Sequence, residues 1–216
     1  MKRFNLQTSK RPRARRPRGL SLLELLLALM ITVMVAAAIA GMLGAVSSGV
    51  GARRDTRALM VLGDAAEARL SAYIAPSRCL LNADNAHVVL WFNDSRESQT
   101  IHATEVRWFA YNAGANTIDV SYVRFPSEWS QAAKDLEDKE LPVTSDWNAV
   151  LANYQANGWT STQSLIDTIQ SLIIRTDAPA AVDSRHITFE IEFESEIGPA
   201  TVTVAGTIRQ HEAPAS

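Results

Sequence analysis

Leu25-Leu-Leu-Ala-Leu-Met-Ile-Thr-Val-Met-Val-Ala-Ala-Ala-Ile-Ala40 decides how the rest of the chain is read. No charged residue occurs in the 28 positions from Leu25 to Ala52. A helix over that stretch is about 42 Å long at ~1.5 Å per residue, more than the hydrocarbon core of about 30 Å requires. A run that is apolar on every side, with basic residues crowded at one end, fits a membrane span better than the core helix of a bundle.

On the N-terminal side, the first nineteen residues hold eight basic side chains (Lys2, Arg3, Lys10, Arg11, Arg13, Arg15, Arg16 and Arg18) and no acidic one. Of 21 basic and 23 acidic residues in the chain, 13 basic and all 23 acidic remain for the rest, a balance of about -10. A basic tip on an acidic body reads as a nucleic-acid or lipid arm, or as a targeting leader. The apolar run behind it favours the leader, and the positive-inside rule keeps the tip in the cytoplasm while the body crosses.

Glu24 breaks the pattern at the start of the run. A carboxylate in a membrane costs on the order of 2.5–3.5 kcal/mol at the bilayer centre and less near its surface. It therefore calls for a partner, or reaches back to water. With it, Arg18-Gly19-Leu20-Ser21-Leu22-Leu23-Glu24 resembles the class III signal of type IV pilins and type II secretion pseudopilins: Gly before the cut, an apolar first mature residue and Glu at the fifth mature position. Leu20 departs from the Phe more common there, and Gly41 stands where pilins often have Pro. The resemblance implies cleavage between Gly19 and Leu20 by a prepilin peptidase, N-methylation at Leu20, and pairing of Glu24 with the amine of a neighbouring subunit during assembly. Physically, Gly19 lets the backbone enter a protease site in extended form, and the cations hold that bond at the cytoplasmic face.

Two other targeting signals overlap this region. Ala38-Ile39-Ala40 has the small-x-small form of a secretory cleavage site, but the run exceeds the ~7–15 residues of such a signal, continues past Ala40 and follows Glu24. Arg15-Arg16 could open a twin-arginine signal, but arginines are so dense here that a pair means little.

Beyond the apolar run, Leu59, Leu62, Ala66, Leu70 and Tyr73 recur every three or four residues, with Arg57, Asp64, Glu67 and Arg69 between them. This is an amphipathic continuation of the helix, ended by Pro76. Strand patterns follow at 86–92, 105–111, 117–123, 186–193 and 200–208, separated by turn residues such as Asn112-Ala113-Gly114 and Gly198-Pro199. In 186–193 the alternation puts Ile187, Phe189, Ile191 and Phe193 on one face and glutamates on the other, so one face should pack on the helix and one meet water. Between the sheet halves, 126–167 reads as an insertion of short helices and loops, with helical spacing in 128–139 and 161–173, aromatic Trp129, Trp147, Tyr154 and Trp159, and a cluster of acids.

The expected fold is α+β, a long N-terminal helix, transmembrane then amphipathic, packed on an antiparallel sheet. This outline too resembles pilins. The expected organisation is a cleaved leader 1–19, an anchor 20–52, an amphipathic continuation 53–76 and a periplasmic β-rich domain 77–216. The size of the body, the hairpin around 106–120 and the closing strand resemble a minor pseudopilin, of the J kind, more than a major one.

Enzymatic chemistry is not indicated: there is no G-x-S-x-G, P-loop, H-E-x-x-H or dinucleotide fingerprint. His87, His102, His186 and His211 lack metal-ligand spacing, and the lone Cys79 cannot form an intramolecular disulfide and reads as a small buried apolar residue. The cluster Asp135, Glu137, Asp138 and Glu140 is a weak calcium candidate, because it lacks the order of a calcium loop. The insertion's aromatics fit a partner surface or core packing, and the acidic body disfavours nucleic acid. No cofactor is expected.

The function implied by the resemblance is a minor structural subunit of a type II secretion pseudopilus for protein export. Its partners are prepilin peptidase/methylase, other pilin-like subunits and the bacterial inner membrane, which it crosses once with its N-terminus cytoplasmic. The alternatives are a minor type IV pilin for adhesion or DNA uptake, and a membrane-anchored periplasmic binding module that never polymerises.

Overall fold

A computed structural model describes residues 21–194 and 198–215, and the side chains among them except those of 48 and 50–55. The fold is α+β: a long N-terminal helix and a set of antiparallel sheets. Helix α1 runs Leu22–Ile74. The chain divides into two compact units, 1–50 and 51–216.

In the first unit the helix makes no core. All fifteen Leu, Ile, Val and Met side chains between 22 and 46 are 52–78% exposed. Leu22–Ser47, with mean hydropathy 2.6, is the one helix among the described residues long and apolar enough to cross a membrane, which is consistent with a single-pass anchor. Its polar Thr32 hydroxyl donates back to the carbonyls of Ala28 and Leu29 at 3.0 and 2.8 Å, so it carries no unmet hydrogen bond into an apolar surrounding.

The second unit begins with the rest of α1, which is part of its core. Ala66, Leu70 and Ile74 are buried, and Leu59 and Tyr73 pack at the edge. Leu62 is exposed, unlike the stripe expected from sequence; Gly63 faces the body instead, where a Cβ would lie 3.0 Å from Val202 Cγ1. The close approach explains why a glycine occupies a helical position that ordinarily disfavours it.

The main sheet has five strands in the order β1-β2-β4-β5-β7, formed by Cys79–Ala83, His87–Trp91, Val106–Asn112, Thr117–Val123 and Thr160–Ile166. A second sheet orders β10-β9-β8, from Ala200–Thr207, His186–Phe193 and Ile169–Thr176. Two short strands, β3 (Ile101–His102) and β6 (Glu140–Leu141), pair separately. The β4–β5 turn is as the sequence indicates: the Asn112 side-chain oxygen accepts from the amides of Gly114 and Ala115.

Two cores result. The first joins Ala66, Leu70 and Ile74 of α1 to Leu80, Val88, Leu90 and Phe109 of the main sheet and to Ile187, Phe189, Ile191 and Phe193 of β9. The second covers the other face of the main sheet, with Cys79, Val89, Trp91, Trp108 and Val123 against Phe125, Trp147 and Tyr154. The main sheet is thus buried on both faces. β9 keeps the expected pattern, with its four apolar residues inside and Glu190 and Glu192 partly exposed on the other side, and β10 alternates likewise.

The helical spacing at 161–173 is overturned: this stretch is β7 and β8, joined through Thr168 at φ +63°. Each strand carries one extra residue against its partner, Leu165 on β7 and Gln170 on β8. The bulges place Leu165, Ile166, Ile169 and Leu172 at intervals that imitate a helix. The helices of the insertion are α2 (Gln131–Glu137) and α3 (Trp147–Ala156), capped by Ser130 and Asp146 side chains accepting backbone amides.

Candidate functional site

The residues singled out at the N-terminus divide. Gly19 and Leu20, the proposed cut and methylation positions, lie outside the described residues, whereas Glu24 is described. Ser21 precedes the first turn of α1 and Glu24 follows three residues later. The Glu24 carboxylate accepts the Ser21 amide at 3.0 Å, and the Ser21 hydroxyl accepts the Glu24 amide at 3.2 Å. This is a capping box, which satisfies two of the four amides a helix leaves unpaired at its start and sets a negative charge at the positive end of the helix dipole. Glu24 therefore has a partner within its own chain, so a neighbouring subunit is not its only physical justification. The Ser-x-x-Glu spacing carried that signal in the sequence.

The acidic cluster of the insertion does not converge as a ligand set. The Arg96 guanidinium donates to Asp135 and to the buried Asp138, each at 2.8 Å. Asp138 also accepts the Thr104 amide at 3.0 Å and hydroxyl at 2.7 Å. Glu137 contributes its backbone carbonyl to the Tyr154 hydroxyl at 2.9 Å, and Glu140 lies in β6 opposite His102. Among the described residues, no three His, Cys, Asp or Glu side chains form a group that could hold a metal ion.

Arg96 leads to a residue the sequence did not flag. Glu105 is buried, and its carboxylate accepts five hydrogen bonds: Trp91 Nε1 at 3.1 Å, the Ser95 amide and hydroxyl at 2.6 and 2.8 Å, and the Arg96 and His102 amides at 3.2 and 3.3 Å. A buried carboxylate is tolerable only when so fully satisfied. Glu105 and Asp138 together fasten the 93–104 loop to the second core. The partners of Glu105 lie within fourteen residues of it, whereas those of Asp138 are 34 and 42 residues away and only the fold brings them together.

The remaining reactive groups are separately occupied. His87 contacts Asp84 at 3.0 Å, His102 the Asp138 carbonyl at 3.1 Å, His186 the Thr207 hydroxyl at 2.9 Å and His211 the Val182 carbonyl at 2.8 Å. Cys79 is fully buried; burial, then the negative charge of Asp183, push its thiol up to about 11, so it stays protonated at neutral pH and is a poor nucleophile. The insertion's aromatics pack on one another: Phe125 stacks on Trp129 at 5.8 Å, and Trp159 meets Trp129 edge-on at 5.0 Å. Arg107 is half-buried, with its guanidinium over the Phe92 and Tyr122 rings at 4.9 and 5.2 Å, and burial lowers its pKa.

The arrangement supplies an apolar helix with a capped, acid-bearing start and a body carrying buried polar clasps. Compared with known proteins, the chain matches no family model, no curated protein and no solved structure.

Proposed function

We propose that the chain is a minor pilin-like structural subunit, cut after Gly19, N-methylated at Leu20 and assembled through α1 into a pseudopilus of a type II secretion system for protein export. In this reading the N-terminus lies in the cytoplasm, α1 crosses the inner membrane and the body is periplasmic. The observation that carries it is that the Gly19-Leu20…Glu24 sequence opens directly into a helix whose large apolar side chains are exposed all round from 22 to 46. Such a surface has to be covered, by lipid before assembly and by neighbouring helices after it.

The experiment is co-purification of Glu24→Gln with partner pilin-like subunits, normalised to processed protein in the membrane. The variant keeps cleavage and insertion, because Gly19 and the basic leader are intact, and assembly falls about tenfold, the effect of about 1.4 kcal/mol. Undiminished assembly would leave Glu24 a capping residue and no more.

The capping box favours a second reading, an anchored periplasmic module that never polymerises, because it satisfies Glu24 locally. Ser21→Ala separates the two. It removes one capping bond and costs about 1 kcal/mol of helix stability while sparing the Glu24 charge. A subunit needing that charge for assembly loses far more from Glu24→Gln than from Ser21→Ala.

A further inference from the structure

Three of the four edge strands in the two larger sheets are interrupted. β1, β7 and β8 each carry an extra residue against their partners, Leu81, Leu165 and Gln170, and such bulges discourage further pairing. β10 is different. It ends the three-stranded sheet, pairs one-to-one with β9 over all eight residues, and its sequence Ala-Thr-Val-Thr-Val-Ala-Gly-Thr has no charge and no proline. None of the usual protections of an edge is present.

The direction of its free groups follows from the ladder. The Ile208 amide bonds the Arg185 carbonyl at 2.9 Å, which makes these a hydrogen-bonded pair, and the alternation carries that state to Gly206, Val204, Val202 and Ala200. Thr201, Thr203, Ala205 and Thr207 therefore turn their N–H and C=O groups away from β9. Their side chains are exposed, and they make no other backbone hydrogen bond among the described residues. The chain's own tail is spent elsewhere: Arg209, Glu212 and Ala215 amides bond the carbonyls of Ala75, Arg78 and Gln99.

We infer that the β10 edge is a strand-addition site that receives an extended segment of another polypeptide, small and apolar on one face and bearing Lys or Arg on the other. The apolar face continues the row Val202, Val204 and Gly206. The basic face is specified by charge: Glu192 of β9, which accepts the Ser171 hydroxyl but meets no cation among the described residues, stands opposite Thr201 on the open side, while Glu190, opposite Thr203, is already bridged by Arg175 of β8. An added strand lies about 10 Å from β9, within reach of a long cationic side chain. A second copy of the neutral β10, on a body of about -10, is the poorer match. The inference does not depend on the pilin reading.

The test uses the full chain in detergent micelles and the peptide acetyl-Thr-Val-Lys-Val-Lys-Val-Thr-amide, with the same peptide carrying Glu for Lys as control. Residue-resolved amide exchange is expected to slow at least tenfold at Thr201, Thr203, Ala205 and Thr207 with the Lys peptide and not with the Glu peptide. Thr203→Pro removes one outward donor without touching the β9 ladder, a place where edge strands tolerate proline, and abolishes this protection. Thr203→Lys, which keeps the donor but sets a cation against the peptide, weakens it at least tenfold. The inference is overturned if the four amides are already slow in the dilute free chain, if they slow with rising protein concentration alone, if the Glu peptide protects equally, or if both variants leave protection unchanged.

Discussion

The two halves of α1 share a helical backbone and differ in composition and in what surrounds them: the first has no charged residue from 25 to 52, the second carries Arg57, Asp64, Glu67 and Arg69. Between 22 and 46 Leu, Ile, Val and Met occupy every side of the helix and all are exposed, whereas beyond 56 the buried positions narrow to Gly63, Ala66, Leu70 and Ile74 under the sheets. The first half buries none of its large apolar side chains and needs a surrounding medium; the second is part of the body's core. Mutations that are drastic in one half should therefore be silent in the other.

Leu70 gives the largest effect. Fully buried in the first core, its truncation to Ala costs about 2–5 kcal/mol of body stability, while Leu27→Ala in the exposed half leaves the unfolding midpoint of the body where it was. Equal losses in urea unfolding would break the comparison.

Glycines sharpen it. A Cβ on Gly206 would lie 2.5 Å from Ile74 Cδ1 and 2.9 Å from its Cγ2, so Gly206→Ala forces β10 off the helix at a cost of about 1–3 kcal/mol. Thermal unfolding then drops by about 2–4 °C per kcal/mol. A Cβ on Gly41 meets nothing within 4 Å, and Gly41→Ala gains about 1 kcal/mol of helix propensity instead.

The smallest effect is electrostatic and confined to the body. Burial pushes the Asp84 carboxyl up, but the amides of Ala86 and His87 and the His87 ring outweigh it and hold the group below its ordinary value. A carboxyl lowered by folding stabilises above its unfolded pKa of about 3.9, and that contribution is lost as pH falls through the folded value. Asp84→Asn should lower the unfolding midpoint at pH 7 and converge on the parent as pH falls through the lowered folded value. A constant difference across that range would contradict the assignment.

How much of this was legible depends on periodicity. β2, β4, β5, β9 and β10 announce themselves through β-branched alternation between turn residues, and β9 begins and ends at the expected residues. β1, β7 and β8 do not, because the extra residues Leu81, Leu165 and Gln170 break the period of two. At the N-terminus, Ser21 and Glu24 are close in sequence, so their bond was readable. The Glu105 clasp closes the 91–105 segment on itself and the Asp138 clasp joins that segment to 138 across the fold, and neither follows the period of a strand or a helix.

The claim that the exposed half of α1 is a processed anchor is tested most directly by the intact mass of the chain extracted from bacterial membranes that contain a prepilin peptidase. The expected mass is that of a chain beginning at Leu20 and carrying one methyl group. A chain beginning at Gly41, with the apolar run largely removed, would contradict the account.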